Sequence, residues 1–271
     1  MKTICINILF IISMLLVISC TEVGVIEENI PFDKKYVVNG RLKAQSENIE
    51  ISFSKSFALD ENYTKSETAI ENLTTYLWSE NQGIFPLIHV GDGIYSQKDE
   101  IEIRPGQTYE LHARIGDDRV YASTYIPVEP DIQEIQITEN FIICKIIPNP
   151  NTVYGCKFSL VSIYNSSESL IENIFYEISD AVENIADLVI IRTSELPEEY
   201  FENSKNYKIN LEVYAFDEDY KDYFDTRLNN KPVENIFSEG GGSVFWNVQG
   251  DNVIGMFIGY NLKTLNNVVL D

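Results

Sequence analysis

Short apolar runs separated by turn-forming residues restrict this chain to a β-rich fold more than any other feature. Residues Ile49–Phe53 alternate with period two, as expected for a strand with one buried face. Further runs, separated by glycine or proline turns, follow at Leu73–Trp78, Ile84–Val90, Thr108–Ile115 and Arg119–Ile126. This spacing predicts a β-sandwich over residues 34–128, which ends at the two prolines Pro127 and Pro130.

The chain after residue 130 is predicted to form a second β-rich domain over residues 131–271. Its strand candidates include Ile132–Ile137, Tyr207–Ala215, Ser243–Gly250 and Val253–Tyr260. A short helix is predicted near residues 217–228. Asp217 can cap its first turn, and Tyr220, Phe224 and Leu228 recur at the spacing of one helix face.

Two cysteines of this second part are predicted to face each other. Cys144 and Cys156 lie in apolar runs on either side of the turn Pro148–Asn151, which is typical of a β-hairpin. A hairpin centred on Pro150 pairs residue 144 directly with residue 156, within the Cα range of a disulfide. The interpretation is a cross-strand disulfide, and the alternative is two buried thiols that happen to be opposed.

The first 20 residues have the pattern of an export signal. Lys2 precedes an apolar run, Ile4–Ile18, which is shorter than the ~20 residues that span a bilayer as a helix. The run ends at Cys20 after a small residue, as at the cleavage site of bacterial lipoproteins. We therefore predict a lipoprotein signal peptide at residues 1–19, acylation such as palmitate at Cys20, and a lipidated tether over residues 20–33. The alternative is an ordinary signal peptide with an accidental cysteine.

Composition excludes several classes of protein. The 271 residues carry 20 Lys+Arg against 42 Asp+Glu, a formal net charge of −22, so binding to nucleic-acid phosphates or to anionic lipid by charge alone is disfavoured. A hydrophobic content of 44% is too high for a disordered chain, and 4 cysteines are too few for a disulfide-dense mini-protein.

Motifs for catalysis or metal binding are missing from the sequence. The two histidines, His89 and His112, lie in strand-like segments, and no zinc-protease, nucleophile-elbow or P-loop pattern occurs. An acidic cluster at Asp217–Asp225 lacks the glycine and spacing of a calcium loop, so a solvated helix start is the favoured interpretation. Gly240–Gly242 is interpreted as a flexible turn. We therefore predict no catalytic residues, no metal and no cofactor.

Aromatic residues are numerous: 16 Tyr, 14 Phe and 2 Trp. Exposed Tyr76, Trp78 or Trp246 could stack on a sugar or contact a protein. Packing in the core and across strands is the favoured interpretation, because aromatic side chains commonly fill the interior of a β-sandwich.

Several motifs in a fixed order resemble a known family. They are the opening Tyr36–Leu42, the turn Asp92–Tyr95, the runs Pro105–Leu111 and Ala122–Pro127, and the glycine-rich end Asn247–Tyr260. Together with the lipobox cysteine they resemble the Bacteroidota lipoproteins known as domain of unknown function 4249. The resemblance implies an immunoglobulin-like front domain and genes paired with TonB-dependent outer-membrane receptors, and it supplies no catalytic residues.

The function predicted from these observations is that of a lipid-anchored accessory protein of the outer membrane or cell surface. It is expected to be non-enzymatic and to bind a TonB-dependent receptor, a nutrient ligand, or both, through residues that the sequence does not identify. A structural or adhesive surface lipoprotein is the first alternative. A hydrolase that uses only carboxylates is the second, because 42 acidic residues always allow a pair.

Overall fold

The computed structural model describes residues 33–58, 62–138, 141–164, 167–179, 187–192, 207–229 and 244–268. The strands there are β1 (Tyr36–Lys43), β2 (Ile51–Lys55), β3 (Thr74–Ser79), β4 (Gly83–Gly91), β5 (Ile94–Gln97), β6 (Thr108–Ile115), β7 (Asp118–Tyr125), β8 (Asp131–Ile137), β9 (Ile142–Ile147), β10 (Thr152–Tyr164), β11 (Ser167–Ile178), β12 (Val189–Arg192), β13 (Tyr207–Asp217) and β14 (Val253–Val268). Two helices accompany them, α1 (Lys65–Thr68) and α2 (Asp219–Asn229). The mostly β prediction and the short helix near residues 217–228 are confirmed, and the immunoglobulin-like character of the front part stays a prediction.

Eleven of these strands form one large sheet, in the order β11-β10-β13-β14-β1-β2-β5-β4-β3-β6-β7. The first strand, β1, lies between β2 and the last strand, β14, and it pairs with β14 in parallel. A parallel pair cannot be closed by a tight turn, so the whole intervening chain forms the connection between these two strands.

The front of this sheet curls until β7 lies against β14. The amide of Gly259 donates to Thr124 Oγ1 (2.6 Å), and the side chain of Asn261 donates to the carbonyl of Pro127 (3.1 Å). The enclosed core is built from the inward residues of alternating strands, among them Val38, Phe53, Leu77, Leu111 and Ala122. Period-two alternation is what allows one face of each strand to fill this core.

The C-terminal strand contributes to the front core as well. Phe257 of β14 is fully buried among the front residues, and Val248 packs there too. Residues 34–271 form one compact unit. The division of the chain into domains at residues 128–131 stays a prediction.

A three-stranded sheet, in the order β12-β9-β8, covers the back part of the large sheet. The residues buried between the two layers include Ile142 and Ile146 of β9 and Leu211, Val213 and Ala215 of β13. The two layers therefore share a second apolar core, which is separate from the front core.

The predicted hairpin between the two cysteines is wrong. Strand β9, with Cys144, pairs with β8 and β12, whereas β10, with Cys156, pairs with β11 and β13. The turn Pro148–Asn151 carries the chain from one sheet to the other, and the amide of Asn149 donates to the hydroxyl of Tyr154 (2.8 Å).

Both cysteines nevertheless belong to the same core. Cys144 and Cys156 are each 1% exposed, approach this core from opposite layers, and are thiols in the structure. Burial raises the pKa of the Cys144 thiol to about 11. The disulfide stays a prediction, but the register argument that supported it no longer holds.

The predicted strand Ser243–Gly250 is also wrong. Residues 244–248 form no regular strand, and only Gln249 makes a bridge, to Tyr121. The side chain of Asn247 explains the difference, because its amide binds both the N–H and the carbonyl of Phe257 (2.9 and 2.8 Å). A side chain thus provides the hydrogen bonds that a paired strand would otherwise provide.

The predicted signal peptide (residues 1–19), Cys20 and nearly all of the tether lie outside the described residues. Among the helices that are described, none is long and apolar enough to cross a bilayer.

Candidate functional site

The acidic cluster near residue 217 includes one buried carboxylate, that of Asp217. Asp217 is the last residue of β13, and its buried carboxylate accepts hydrogen bonds from Thr124 Oγ1 (2.6 Å) and from the Tyr125 amide (2.8 Å). It also accepts a hydrogen bond from the amide of Asp219 in the first turn of α2, as the capping prediction expected. Burial raises its pKa to about 6. Within the described ranges, no group of three or more His, Cys, Asp or Glu residues could hold a metal ion.

The two histidines make local contacts. His89 Nε2 accepts a hydrogen bond from the amide of Gly93 (3.2 Å). His112 lies 2.8 Å from Glu110 Oε2, and its ring stacks on Tyr76 at a centroid distance of 4.9 Å. The structure does not bring the histidines together with the cysteines or with the acidic cluster into one site.

An aromatic cleft lies between helix α2 and the outer face of the large sheet. Phe216 of β13 is directly opposite Tyr260 of β14, and Tyr214 projects from the same face two residues earlier. Tyr220 and Phe224 form the wall on the helix side, because residues four apart lie on one helix face. With Ile258 and Arg41 these residues line a cavity of about 360 Å³, and we call this set the aromatic cleft.

The rings of the aromatic cleft form a continuous array. Phe216 stacks on Tyr220 with centroids 4.2 Å apart, and on Tyr214 with centroids 5.4 Å apart and planes 3° from parallel. Tyr260 lies 6.1 Å from Phe216. Phe216 is buried and the tyrosines are half-buried. The array therefore offers ring faces and hydroxyl groups to a bound molecule.

Charged groups surround this array. The hydroxyl of Tyr214 donates to Glu212 Oε2 (2.7 Å), and Lys157 forms an ion pair with the same carboxylate (3.3 Å). Burial and the Glu212 hydrogen bond raise the pKa of Tyr214. Burial also raises the pKa of Tyr260, and the positive charge of Arg41 opposes that rise. Tyr214 and Tyr260 are therefore neutral at physiological pH.

A polar groove continues from the aromatic cleft across the outer face of β1. Asn39, Arg41 and Lys43 occupy alternate, exposed positions of that strand, as period-two alternation requires. With Ser46, Asn48, Glu50 and Tyr260 they line a second cavity of about 640 Å³, and we call this set the polar groove. Because Arg41 and Tyr260 line both cavities, the aromatic cleft and the polar groove form one continuous surface.

No pattern in the sequence predicts this surface. The spacing of Tyr220 and Phe224 does place them on one helix face, and β13 shows the predicted alternation. What the sequence does not show is the pairing of β13 and β14 with β1, which brings Arg41 to residues more than 170 positions away. The aromatic residues that the sequence did single out, Tyr76, Trp78 and Trp246, are each half-buried and lie outside the aromatic cleft.

A second surface carries exposed apolar residues on β4. Ile84, Ile88 and Val90 are 63%, 46% and 58% exposed, and alternation places them on one face together with Pro86. Trp78 and Tyr76 of β3 are opposite Ile84 and Pro86, so they extend the same face. We call Ile84, Pro86, Ile88 and Val90 the β4 strip. Contiguous exposed apolar surface is typical of an interaction site.

Three solved structures show a weak likeness to this chain. A DUF4785 family protein from Legionella pneumophila aligns with a TM-score of 0.30 and 7% identity, covering 65% of this chain and 50% of that one. A DUF3823 family protein from Parabacteroides merdae aligns with a TM-score of 0.20 and 11% identity, covering 67% and 90%. A marsupial T cell receptor aligns with a TM-score of 0.19 and 16% identity, covering 66% and 90%. The chain therefore spans half the length of the Legionella protein, and likenesses this weak carry no argument.

Family membership is the informative comparison. No curated protein matches the chain. Residues 22–266, nearly everything after the predicted signal peptide, match the family described as "Domain of unknown function (DUF4249)". The chain belongs to the DUF4249 family.

Proposed function

We propose that this protein is a lipid-anchored accessory protein of the bacterial outer membrane or cell surface, which holds a ligand in the aromatic cleft and acts beside a TonB-dependent receptor. The observation that carries the ligand-binding part is the cleft itself. Its volume of about 360 Å³ falls within the ~300–1,000 Å³ of small-molecule sites. Such sites combine apolar walls with a few polar groups, as the aromatic rings and Arg41 do here.

The role is binding rather than catalysis. The cleft is lined by tyrosine, phenylalanine and isoleucine side chains and one guanidinium group, which stack on or hydrogen-bond to a ligand. Glu50 is the carboxylate lining the polar groove. A hydrolase of the glycosidase type needs two carboxylates ~5–9.5 Å apart. The described lining of the two cavities contains one carboxylate and so does not supply such a pair.

Membrane attachment rests on the lipobox sequence that ends at Cys20 and on membership in the DUF4249 family. Each buried CH₂ group of an acyl chain contributes ~0.8 kcal/mol, and two chains anchor a protein stably. The acidic body, with its net charge of −22, would be repelled by anionic headgroups. Lipid rather than surface charge would therefore hold this Bacteroidota lipoprotein at the membrane.

Metabolic labelling with a palmitate analogue in a Bacteroidota host tests the anchor. The wild-type chain should be labelled and should fractionate with the outer membrane, whereas Cys20→Ser should be unlabelled and released. Cys5→Ser is the matched control, because this cysteine lies within the predicted signal peptide, and it should behave as the wild type. Labelling that survives Cys20→Ser would refute the proposed anchor.

The β4 strip is the surface we propose for the receptor contact, because its apolar side chains are exposed in a row on one face of the strand. The native lipidated protein, extracted in mild detergent, should co-purify with a stoichiometric TonB-dependent barrel identified by mass spectrometry. The double variant Ile84→Asp/Ile88→Asp should lose that barrel. Ile190→Asp, at an equally exposed isoleucine of β12 (62% exposed), is the control and should retain it. A protein that purifies without a receptor barrel would favour the adhesive or structural alternative.

A further inference from the structure

The aromatic cleft and the polar groove together have two chemically different ends. The cleft offers the half-buried rings of Tyr214, Tyr220 and Tyr260, while the groove offers amide, hydroxyl and cationic groups. Because Arg41 and Tyr260 line both cavities, one molecule can occupy the two ends at once. A ligand that fits this surface must carry both apolar ring faces and many hydrogen-bonding groups.

Two cations, Arg41 and Lys43, lie on this surface. Arg41 and Lys43 lie on the same face of β1, both are exposed, and within the described part of the chain neither forms an ion pair or a hydrogen bond through its side chain. Other lysines do form ion pairs, at Lys145–Glu134, Lys157–Glu212, Lys221–Asp225 and Lys263–Glu129. In the polar groove these two cations outnumber the one carboxylate of its lining, Glu50, so the groove favours an anionic ligand.

The groups on each side of the cations specify the rest of the ligand. The C–H faces of a pyranose ring are apolar and stack on aromatic side chains, while its hydroxyls need donors and acceptors in the ring plane. Tyrosine provides both a ring face and a hydroxyl. Asn39 and Asn48 add amide donors and acceptors in the groove. The cavities of about 360 and 640 Å³ give room for several sugar units rather than one.

We propose that this surface binds an acidic oligosaccharide, with a sugar ring stacked in the aromatic cleft and its carboxylate or sulfate group held by Arg41 and Lys43. The proposal rests on the ligand-binding part of the proposed function and names its ligand class. Charge-assisted hydrogen bonds from a guanidinium to a carboxylate or sulfate are about twice as strong as neutral ones. Arg41 therefore selects the acidic sugar over its neutral counterpart.

Calorimetry with two matched probes tests the charge selection. Trigalacturonic acid and its methyl ester share their rings and hydroxyls but differ in charge. The full lipidated chain in detergent should bind the acid at least about tenfold more tightly than the ester. Arg41→Gln should reduce that difference, and Arg41→Gln/Lys43→Gln should remove it. Arg104→Gln, at an exposed arginine away from the cleft, should leave it unchanged. Equal binding of acid and ester to the wild type would overturn the proposal.

The aromatic contribution is tested with Tyr220→Leu, which removes a ring from the wall while keeping an apolar side chain. It should weaken the binding of acid and ester by the same factor, because stacking does not depend on the charge. A sulfated trisaccharide and acetate complete the set. Tighter binding of the sulfated sugar than of the uronate would identify sulfate as the anionic group. Acetate binding as tight as the trimer would reduce the surface to a simple anion site and overturn the proposal.

Failure of this inference can be distinguished from failure of the proposed function. Palmitate labelling and co-purification with a receptor do not depend on any sugar. If both succeed while neither trimer binds, the acidic-oligosaccharide assignment is wrong, whereas the anchor and the receptor contact of the proposed function stand.

Discussion

The buried carboxylate of Asp217 makes a quantitative prediction about stability. Its side chain is 7% exposed, and both of its hydrogen bonds to β7, from Thr124 and Tyr125, end on the same oxygen, Oδ2. Thr124 in turn accepts a hydrogen bond from Gly259, so the group joins β13, β7 and β14. Asp217→Asn can preserve both hydrogen bonds through its single amide oxygen while it removes the negative charge.

The magnitude follows from the pKa. Burial raises the pKa of Asp217 from 3.8 to about 6, so the native state holds the proton more tightly than the unfolded chain. The tighter binding of this proton stabilises the native state fully below about pH 4, and the stabilisation is lost as the pH rises through about 6. At ~1.36 kcal/mol for each pKa unit, ionisation at neutral pH costs about 3 kcal/mol of stability. Asp217→Asn escapes that cost, but it loses an acceptor for the amide of Asp219, worth about 1 kcal/mol.

We therefore expect Asp217→Asn to be about 2 kcal/mol more stable than the wild type at about pH 8. The advantage should shrink by about 1.4 kcal/mol on going down to about pH 5, which stays above the isoelectric point of 4.4. Urea unfolding of the compact unit from residue 34, followed by tryptophan fluorescence, measures both quantities. The comparison between variants cancels the titration of groups that they share.

Asp217→Ala is the control that separates the hydrogen bonds from the charge. It leaves the Thr124 hydroxyl and the Tyr125 amide without their acceptor, at a cost of about 1–3 kcal/mol each. It should therefore be less stable than Asp217→Asn at every pH. The reasoning would be refuted by a stability difference between wild type and Asp217→Asn that stays constant from about pH 5 to about pH 8.

Three further predictions concern the cores. Gly255→Ala should lower the free energy of unfolding by about 3 kcal/mol or more, because a Cβ there would lie 1.9 Å from a carbonyl oxygen of β1. Gly106→Ala, at φ +76° in open space, should lower it by only about 1 kcal/mol. Urea unfolding that ranks the two variants the other way contradicts this prediction. Tyr95→Phe should lose about 2 kcal/mol in the same assay, because the buried hydroxyl binds one backbone carbonyl and one amide, and an unchanged midpoint would contradict it. Cys144 and Cys156 should react slowly with a thiol reagent in the native protein and rapidly in urea, because both are buried. A fast reaction in the native protein would contradict their place in the core. A protein that does not react in urea without reductant would contain a disulfide.

Local patterning predicted the strands well where alternation was clean. Thr108–Ile115 is a strand with the same bounds in the structure, and Asp219–Asn229 is the helix predicted one or two residues earlier. The short strand Ile94–Gln97 was missed, because four residues beside a glycine turn carry too little periodicity. Ser243–Gly250 was assigned as a strand because nothing local shows that Asn247 would bind the backbone of Phe257.

The cysteine hairpin shows the limit of local reasoning most clearly. A Pro/Asn turn between two alternating runs is compatible with a hairpin and equally with a crossing between two layers. In both arrangements Cys144 and Cys156 face an apolar core, so the burial pattern cannot distinguish them. The other strands decide between the two arrangements. Strand β13 pairs with β10, and β9 pairs with β12 in the smaller sheet instead of with β10.

The sequence alone determined the β-rich class, the approximate positions of most strands, the short helix and the family, because these depend on short-range periodicity and on motifs that survive without coordinates. The tertiary structure decided which strands pair, which layer each occupies and where the candidate site lies. Arg41 and Tyr260 meet because β1 pairs in parallel with β14, a contact between the two ends of the folded chain. Such pairing is set by the collective burial of both cores, and no local pattern in either strand encodes it.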